Sequence, residues 1–235
     1  MPQEHYLKQN HLLAALPASE LKILKPHLEL KLLEVGEMLA EAGQRPAYSY
    51  FPVDTVISMY YRIANGDAAE IAMIGNEGMF SVGQVMGGES LPYYAVVETQ
   101  GHAFRIERSV LMKELAHEGA FRKTMLLYSQ AALTQMAQIA VCGKHHSLVQ
   151  QLSLHLLLVS DKSLSDSFFL THEALAHMLG VRREGVTAAA AKMRELGLID
   201  YKRGHIRVTD RAGIEVLACD CYDVVRKEFK RLLGY

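Results

Sequence analysis

The chain of 235 residues carries 25 basic and 26 acidic side chains, a formal charge of −1, and half of it is apolar. Those proportions exclude disordered, collagen-like and disulfide-scaffold classes, and they permit a substantial core in one large domain or two modest ones. No apolar run reaches the roughly 18–20 residues that span a bilayer, residues 1–8 lack the apolar stretch of a secretion signal, and the three cysteines (Cys142, Cys219, Cys221) fit a reducing, cytoplasmic compartment with no membrane partner.

Leu12, Leu13, Leu16, Leu21, Leu24 and Leu28 recur at helical intervals over residues 11–35, with a break at Pro17. From Val35 glycines punctuate short apolar runs at 56–61, 70–74 and 95–99, and Asn65-Gly66-Asp67 reads as a hairpin turn between two of them. Many short strands with frequent turn signals imply a small all-β roll. A further strand is expected over 101–108, then a short helix capped by Ser109. A long helix follows from about Glu118 to Lys144, free of Pro and Gly between Ala120 and Cys142, a span of about 35 Å. Met125, Ala132, Met136 and Ile139 fall near heptad spacing along it, with Leu126, Leu133 and Ala140 alongside. That stripe suits a dimer seam or an intramolecular core helix, and the dimer seam is the expectation. Residues 148–160 form another apolar helix, ended by the polar stretch 161–167.

Charge is uneven along the chain. Residues 1–144 hold 12 basic against 15 acidic side chains, whereas 182–211 hold 8 against 4, the footprint of a polyanion binder. The same region reads as two crossing helices. Thr171 is a credible N-cap for a helix whose Leu175, Met178 and Leu179 face inward; Ala176 is small where a second helix must cross, and Gly180 can take the left-handed turn that ends the first helix. The second helix, about Arg183 to Glu195, buries Val186, Ala190 and Met193 and offers Arg182, Arg183 and Glu184 in its first turn. Two strands at 199–202 and 205–209, joined by Arg203-Gly204, make a basic wing. This is a helix-turn-helix pattern: an α-helix fits a major groove about 12 Å wide, Arg183 can bond guanine, Glu184 can accept from cytosine, and Thr187 can touch a thymine methyl. Thr171, His172, Arg182, Lys202 and Arg203 are the expected phosphate contacts.

With those motifs, the sequence resembles the Crp/Fnr family of bacterial transcription regulators over nearly its whole length. The stretch Leu179-Gly180-Val181-Arg182-Arg183-Glu184-Gly185-Val186 corresponds to the family's turn and recognition-helix start. The resemblance implies an α+β fold: a double-stranded, jelly-roll-like β-roll sensor at 1–117, a dimerisation helix at 118–144 and a winged helix-turn-helix domain at 145–235. It also implies a homodimer on a pseudo-palindromic duplex, with RNA polymerase as a partner. Ala188 stands where the family carries a later arginine, and Arg182 replaces the usual Ser/Thr cap.

The family's cyclic-nucleotide pocket uses a Gly-Glu pair for ribose and an Arg-Ser/Thr pair for the cyclic phosphate. Here Gly83 falls at the glutamate position and Tyr93-Tyr94 replace the Arg-Ser pair, so cyclic AMP loses its charge-assisted anchor. Gly83, Glu89, Tyr93 and Tyr94 mark the place for an unknown small effector, with Glu89 read as a turn residue. An iron–sulfur cluster is not expected, since no cysteine precedes Cys142. Nothing marks His102 or Met73 as haem ligands, and His102 reads as a strand residue. Cys219-Asp220-Cys221 shows only two of the four ligands of a structural zinc site, and His145, His146 and His177 read as solvated or packing residues. No metal or cofactor is therefore expected. No nucleophile elbow, phosphate loop or metal-helix motif points to an enzyme. The competing reading is a ligand-binding module whose C-terminal domain contacts a protein.

Overall fold

Pro26 stops the N-terminal helices and turns the chain into the first sheet. The computed structural model describes residues 2–62, 68–163 and 165–235. Helices α1 (Pro2–Leu7), α2 (His11–Ala14) and α3 (Ala18–Leu24) lead into a 3-10 turn over Lys25–His27. Leucine spacing reads as helix through residue 35, but Glu29–Leu33 is a strand, β1. Proline has no amide donor with which to continue a helix. The following backbone instead pairs antiparallel with β7 (Gly101–Glu107), from Glu29 opposite Arg105 to Leu33 opposite Gly101.

Two sheets make the roll. In one, β7 lies between β1 and β3 (Tyr48–Pro52); the other runs β2 (Met38–Ala40), β6 (Tyr94–Thr99), β4 (Val56–Arg62), β5 (Ala68–Ile74). The apolar runs at 56–61, 70–74 and 95–99 are thus three adjacent strands. The turn signal Asn65-Gly66-Asp67 lies outside the described residues; β4 and β5 pair antiparallel from either side of it, Arg62 opposite Ala68. Leu33, Ile57, Met59, Phe80, Tyr93 and Val97 fill the space within the roll.

After the short α4 (Val82–Val85), β6 and β7, the chain enters α5 (Arg108–Ala116) and then the long α6 (Ala120–His145). Ser109 does not cap α5; Glu107 holds the N-cap position and makes no side-chain cap bond. Gly119, at the start of α6, has no side chain to offer its free amides. Glu20 of α3 supplies the missing acceptor, its carboxylate taking the Ala120 and Phe121 amides at 2.8 and 2.6 Å. A carboxylate there also meets the positive end of the helix dipole, and such a cap contributes about 1 kcal/mol.

The two faces of α6 have different fates. Met125 and Ala132, expected at a dimer seam, are buried in the chain's own core; Met136 packs against the roll interior and Ile139 lines a cavity with Met73. The heptad spacing was real, but the roll and the C-terminal helix take that stripe. The adjacent stripe is the free one: Leu126, Leu133 and Val141 are 46%, 51% and 44% exposed, and Ala137 and Ala140 lie exposed between them.

The C-terminal half comprises α7 (Leu148–Ser163), β8 (Ser167–Phe169), α8 (His172–Leu179), α9 (Arg183–Glu195), β9 (Ile199–Lys202), β10 (His205–Val208), α10 (Arg211–Leu217) and α11 (Asp220–Leu233). β8 pairs with β10 and makes the wing a three-stranded sheet, which the polar stretch before it does not reveal. Helix α11 returns to α6, where the Tyr128 and Phe229 rings meet edge to face at 6.3 Å. Among the described residues, no helix is long and apolar enough to cross a membrane.

The two halves meet through an unusually polar junction. Lys162 near the end of α7 and Glu77 of the loop after β5 form a buried ion pair, and the Asn76 amide donates to Lys162 O at 3.2 Å. Nearby, His155 of α7 and Glu70 of β5 lie 3.7 Å apart, both buried. Loss of water pushes the Glu70 carboxyl up to about 8 and the His155 imidazole down to about 4, so both are neutral at neutral pH. Glu70 therefore opposes folding increasingly as pH rises from the ordinary carboxylate range towards 8, because only the unfolded chain gives up that proton. His155 opposes folding as pH falls from 6.5 towards 4, because only the unfolded chain gains one. Between about pH 6.5 and 8 the glutamate acts alone. Glu70→Gln is expected to gain stability over the unsubstituted chain across that window and to lose the advantage near the ordinary carboxylate pKa of 4.5, read by denaturant unfolding at a series of pH values. A difference that does not vary with pH overturns the assignment.

Candidate nucleic-acid interface

Thr171, Gly180 and the small residues between them shape the two crossing helices. Thr171 Oγ1 accepts from the Ala174 amide at 3.0 Å and caps α8. Gly180 ends it at φ +63°, where an L side chain is strained, and the Val181 amide closes the turn onto Ala176 O at 3.0 Å. Leu175, Ala176 and Met178 are buried on α8, and Val186, Ala189, Ala190 and Met193 on α9. Leu179 is only half-buried and lines the cavity at the junction. The start of α9 sits so close to α7 that a Cβ on Gly185 would meet Leu148 Cδ2 at 2.9 Å.

This packing leaves one face of α9 in solvent. Arg182 occupies its N-cap without a side-chain bond, and Arg183, Glu184, Thr187 and Ala188 are exposed. Of the eight cations in 182–211, Arg207 pairs with Asp200, and Arg211 with Asp161 and Glu215. Arg182, Arg183, Lys192, Arg194, Lys202 and Arg203 make no ion pair among the described residues. The wing turn places Lys202 and Arg203 at its tip, with Arg203 at φ +51° and Gly204 at φ +84°. Two successive left-handed residues are what a tight two-residue hairpin requires. Gly204 O accepts from the Leu170 amide at 2.8 Å, which fixes the hairpin against the entry to α8.

His172 has a different place from the one expected of it. Its ring stacks on Tyr201 at 4.2 Å, and its Nδ1 lies 3.0 Å from Thr187 Oγ1. Thr187 donates to Arg183 O at 3.0 Å, so it accepts from His172, whose buried Nε2 meets no partner among the described residues. Burial first and the Arg183 charge second hold this imidazole below its ordinary pKa. With Nδ1 engaged by Thr187 and Nε2 buried, the ring is placed to tie α8 to α9 rather than to reach a phosphate. Thr187 keeps its methyl and one lone pair of its hydroxyl for an outside contact.

The residues expected to mark an effector place do not form one pocket. Glu89 is exposed on a turn and pairs with Arg45. Tyr93 points into the roll, where burial raises its hydroxyl to about 12. A side chain on Gly83 would reach Leu91 Cδ2 at 3.3 Å and Tyr93 Oη at 4.0 Å. Tyr94 stacks instead on Tyr60 at 5.3 Å and carries the Arg62 guanidinium over its ring at 5.0 Å; Tyr60 in turn meets the ring of His177 on α8 at 5.8 Å. The aromatic pair thus divides, one ring filling the roll and the other facing the junction. A separate cavity of about 190 Å³ lies at that junction, walled by Glu70, Met73, Ile139, His155 and Met178. His102, in β7, lies 3.3 Å from Asp54 through Nδ1.

Sequence reasoning missed one constellation. Cys219 and Cys221 offer two ligands in sequence, but the fold brings Cys142 and His146 from the end of α6 against them. The i, i+4 spacing of Cys142 and His146 was a visible signal; the pairing of His146 with Cys221, 75 residues away, was not.

Residues 150–217 match the protein family described as Crp-like helix-turn-helix domain. No curated protein matches the chain. Among solved structures it is similar to TTHB099, a CRP-family transcriptional regulator from Thermus thermophilus, with a TM-score of 0.67 and 17% identity over 80% of this chain and 96% of that one. FixK2 from Bradyrhizobium japonicum gives 0.66 and 16% over 82% and 98%. TTHA1359, a CRP/FNR-family regulator also from Thermus thermophilus, gives 0.60 and 20% over 81% and 98%. At these identities the likeness is one of fold: roll, long helix and helix-turn-helix in the same order.

Gly180→Ala forces a Cβ into the left-handed region, at a cost of about 1–2 kcal/mol. Thermal unfolding is expected to fall by several degrees, whereas Gly143→Ala, within α6 with open space around it, is expected to leave it unchanged or raise it.

Proposed function

We propose that this chain, which carries a Crp-like helix-turn-helix domain at residues 150–217 on the fold of the Crp/Fnr transcription regulators, is a homodimeric, sequence-specific DNA-binding regulator acting in the cytoplasm. The observation that carries this reading is the start of α9, where Arg183 and Glu184 stand free in solvent above a buried Val186–Ala190–Met193 face. A helix held rigidly from behind, with an unpaired guanidinium and carboxylate in its first turn, suits insertion into a major groove. Arg183 bonds a guanine edge, Glu184 accepts from a cytosine amine, and the Thr187 methyl packs on thymine. Arg182, Lys202 and Arg203 hold phosphates, and Thr171 presents the capped end of α8 to the backbone.

The dimer uses the outer stripe of α6, Leu126, Leu133 and Val141, so that two reading helices address half-sites about 34 Å apart. RNA polymerase is the expected protein partner. The effector, if small and planar, is not cyclic AMP: Tyr93 and Tyr94 stand in place of the Arg-Ser pair that would hold its phosphate, and the Tyr93 ring is buried in that part of the roll. A ligand acts here by favouring one setting of the junction between roll and reading head over another.

Binding to selected and random duplexes over a range of salt tests the roles. Arg183→Ala and Glu184→Ala are expected to cost about 1–3 kcal/mol of discrimination at one base pair. Lys202→Ala and Arg203→Ala weaken all duplexes alike and lower the salt slope by about 1, while His172→Ala leaves that slope unchanged. Equal losses on specific and random DNA for all of the first four substitutions refute the division. Separately, Leu133→Glu places a charge in the outer stripe and is expected to give monomers by light scattering, whereas Lys113→Glu, at an exposed position of α5, is not. A Leu133→Glu protein that stays dimeric removes α6 from the interface.

A further inference from the structure

The C-terminal end of α6 and the N-terminal end of α11 converge on a cluster of sulfur and nitrogen that DNA binding does not use. Cys142 and His146 lie one helical turn apart, the second at the C-cap of α6. Cys219 is the N-cap of α11 and Cys221 lies in its first turn. The four ligating atoms lie within 4.8 Å of one another. Cys142 Sγ is 3.4 Å from Cys219 Sγ, and Cys221 Sγ is 3.6 Å from His146 Nδ1. All three cysteines are buried free thiols, and His146 is half-buried beside them.

The two shortest of those separations are close to the edges of a tetrahedral metal site. With metal–sulfur bonds of about 2.3 Å and metal–nitrogen bonds of about 2.0–2.1 Å, sulfur–sulfur edges come to about 3.8 Å and sulfur–nitrogen edges to about 3.6 Å. Soft thiolates exclude magnesium and calcium, which take oxygen ligands. Three sulfurs and one imidazole make a complete set of four, leaving no position open for substrate, which is the pattern of a structural rather than a catalytic site.

We propose that Cys142, His146, Cys219 and Cys221 bind one zinc ion and that this ion clasps the end of the long helix to the last helix of the reading head. On binding, the three thiols release their protons to solvent and His146 coordinates through Nδ1, leaving a site of net charge −1. That charge lies at the start of the 14-residue α11, where the helix dipole favours negative charge. The backbone around it is already held: the His146 amide donates to Cys142 O at 3.0 Å, and Gln151 Nε2 donates to His146 O at 2.8 Å. The ion would therefore fix the bend between α6 and α7, from which α8 and α9 follow. It joins two segments far apart in sequence and needs no assumption about the duplex that α9 reads.

Metal analysis and cobalt substitution of the full-length chain test this. Protein purified under reducing conditions is expected to hold about one zinc per chain. Cobalt exchanged for zinc is expected to show the intense visible bands of a tetrahedral site and thiolate-to-cobalt charge transfer. The chain has only three cysteines, all in this cluster, so that signal reports no other place. Cys219→Ser and His146→Ala are expected to weaken cobalt binding by more than about tenfold, and a chelator is expected to lower the thermal midpoint of the unsubstituted chain but not of either variant. The cobalt titration of the unsubstituted chain keeps the test decisive if a variant does not fold. Reduced protein that takes up neither metal, or that binds cobalt without charge transfer, overturns the site. Either result leaves the DNA-binding assignment untouched, since that is read from duplex binding.

Discussion

A side chain on the long helix can be buried only once, and that constraint organises the molecule. The inner stripe of α6, from Phe121 through Met125, Tyr128 and Ala132 to Cys142, is spent on the chain's own core. Burial of an apolar side chain of this size contributes roughly 1.5–3 kcal/mol, so the stripe cannot also serve a second copy. What remains for a partner is the neighbouring row at Leu126, Leu133 and Val141. The same helix is tied at both ends by groups distant in sequence: Glu20 takes the first amides, and the last turn brings Cys142 and His146 to the start of α11. Roll and reading head are therefore fastened to one rod.

The junction between them combines apolar packing with charged and titratable groups sealed from water. The Glu77–Lys162 pair is buried, and breaking such a pair by removing one partner is costly because the other charge is left stranded. Glu70 and His155 face each other as neutral groups. Tyr60 bridges the two halves through its ring contact with His177 while donating to Glu98 at 2.6 Å. Movement of α7 and α8 together relative to the roll must rearrange these groups.

The helix-turn-helix face proposed to meet DNA is built differently. Its supporting face is apolar, the cap and turn of α8 are satisfied by local bonds, and Arg182, Arg183, Lys202 and Arg203 make no ion pair among the described residues. His172, half-buried, joins α8 to α9 through Thr187 and thereby helps to orient the start of α9. The support comes from behind the helix, and a few charged side chains are left in front.

Much of this was legible in the sequence because it is local. The cap at Thr171, the left-handed Gly180, the inward Val186, Ala190 and Met193, the Arg203-Gly204 wing and the long uninterrupted α6 all depend on residues within a turn or two of one another. So did the strands at 56–61, 70–74 and 95–99. What depended on residues far apart was not legible. Periodicity marked a stripe on α6 but could not say which partner covers it. The leucines at 28–33 continue the helical spacing of the preceding residues, but pairing with the edge of β7 makes Glu29–Leu33 a strand, and β8 has too little pattern to be seen without β10. The division of Tyr93 from Tyr94 and the role of His172 follow from neighbours on other elements. The Cys142–His146–Cys219–Cys221 cluster exists only once α11 folds back on α6. The bonds a segment makes with itself can be read from its own residues; side chains from distant segments meet only when packing closes the space between them.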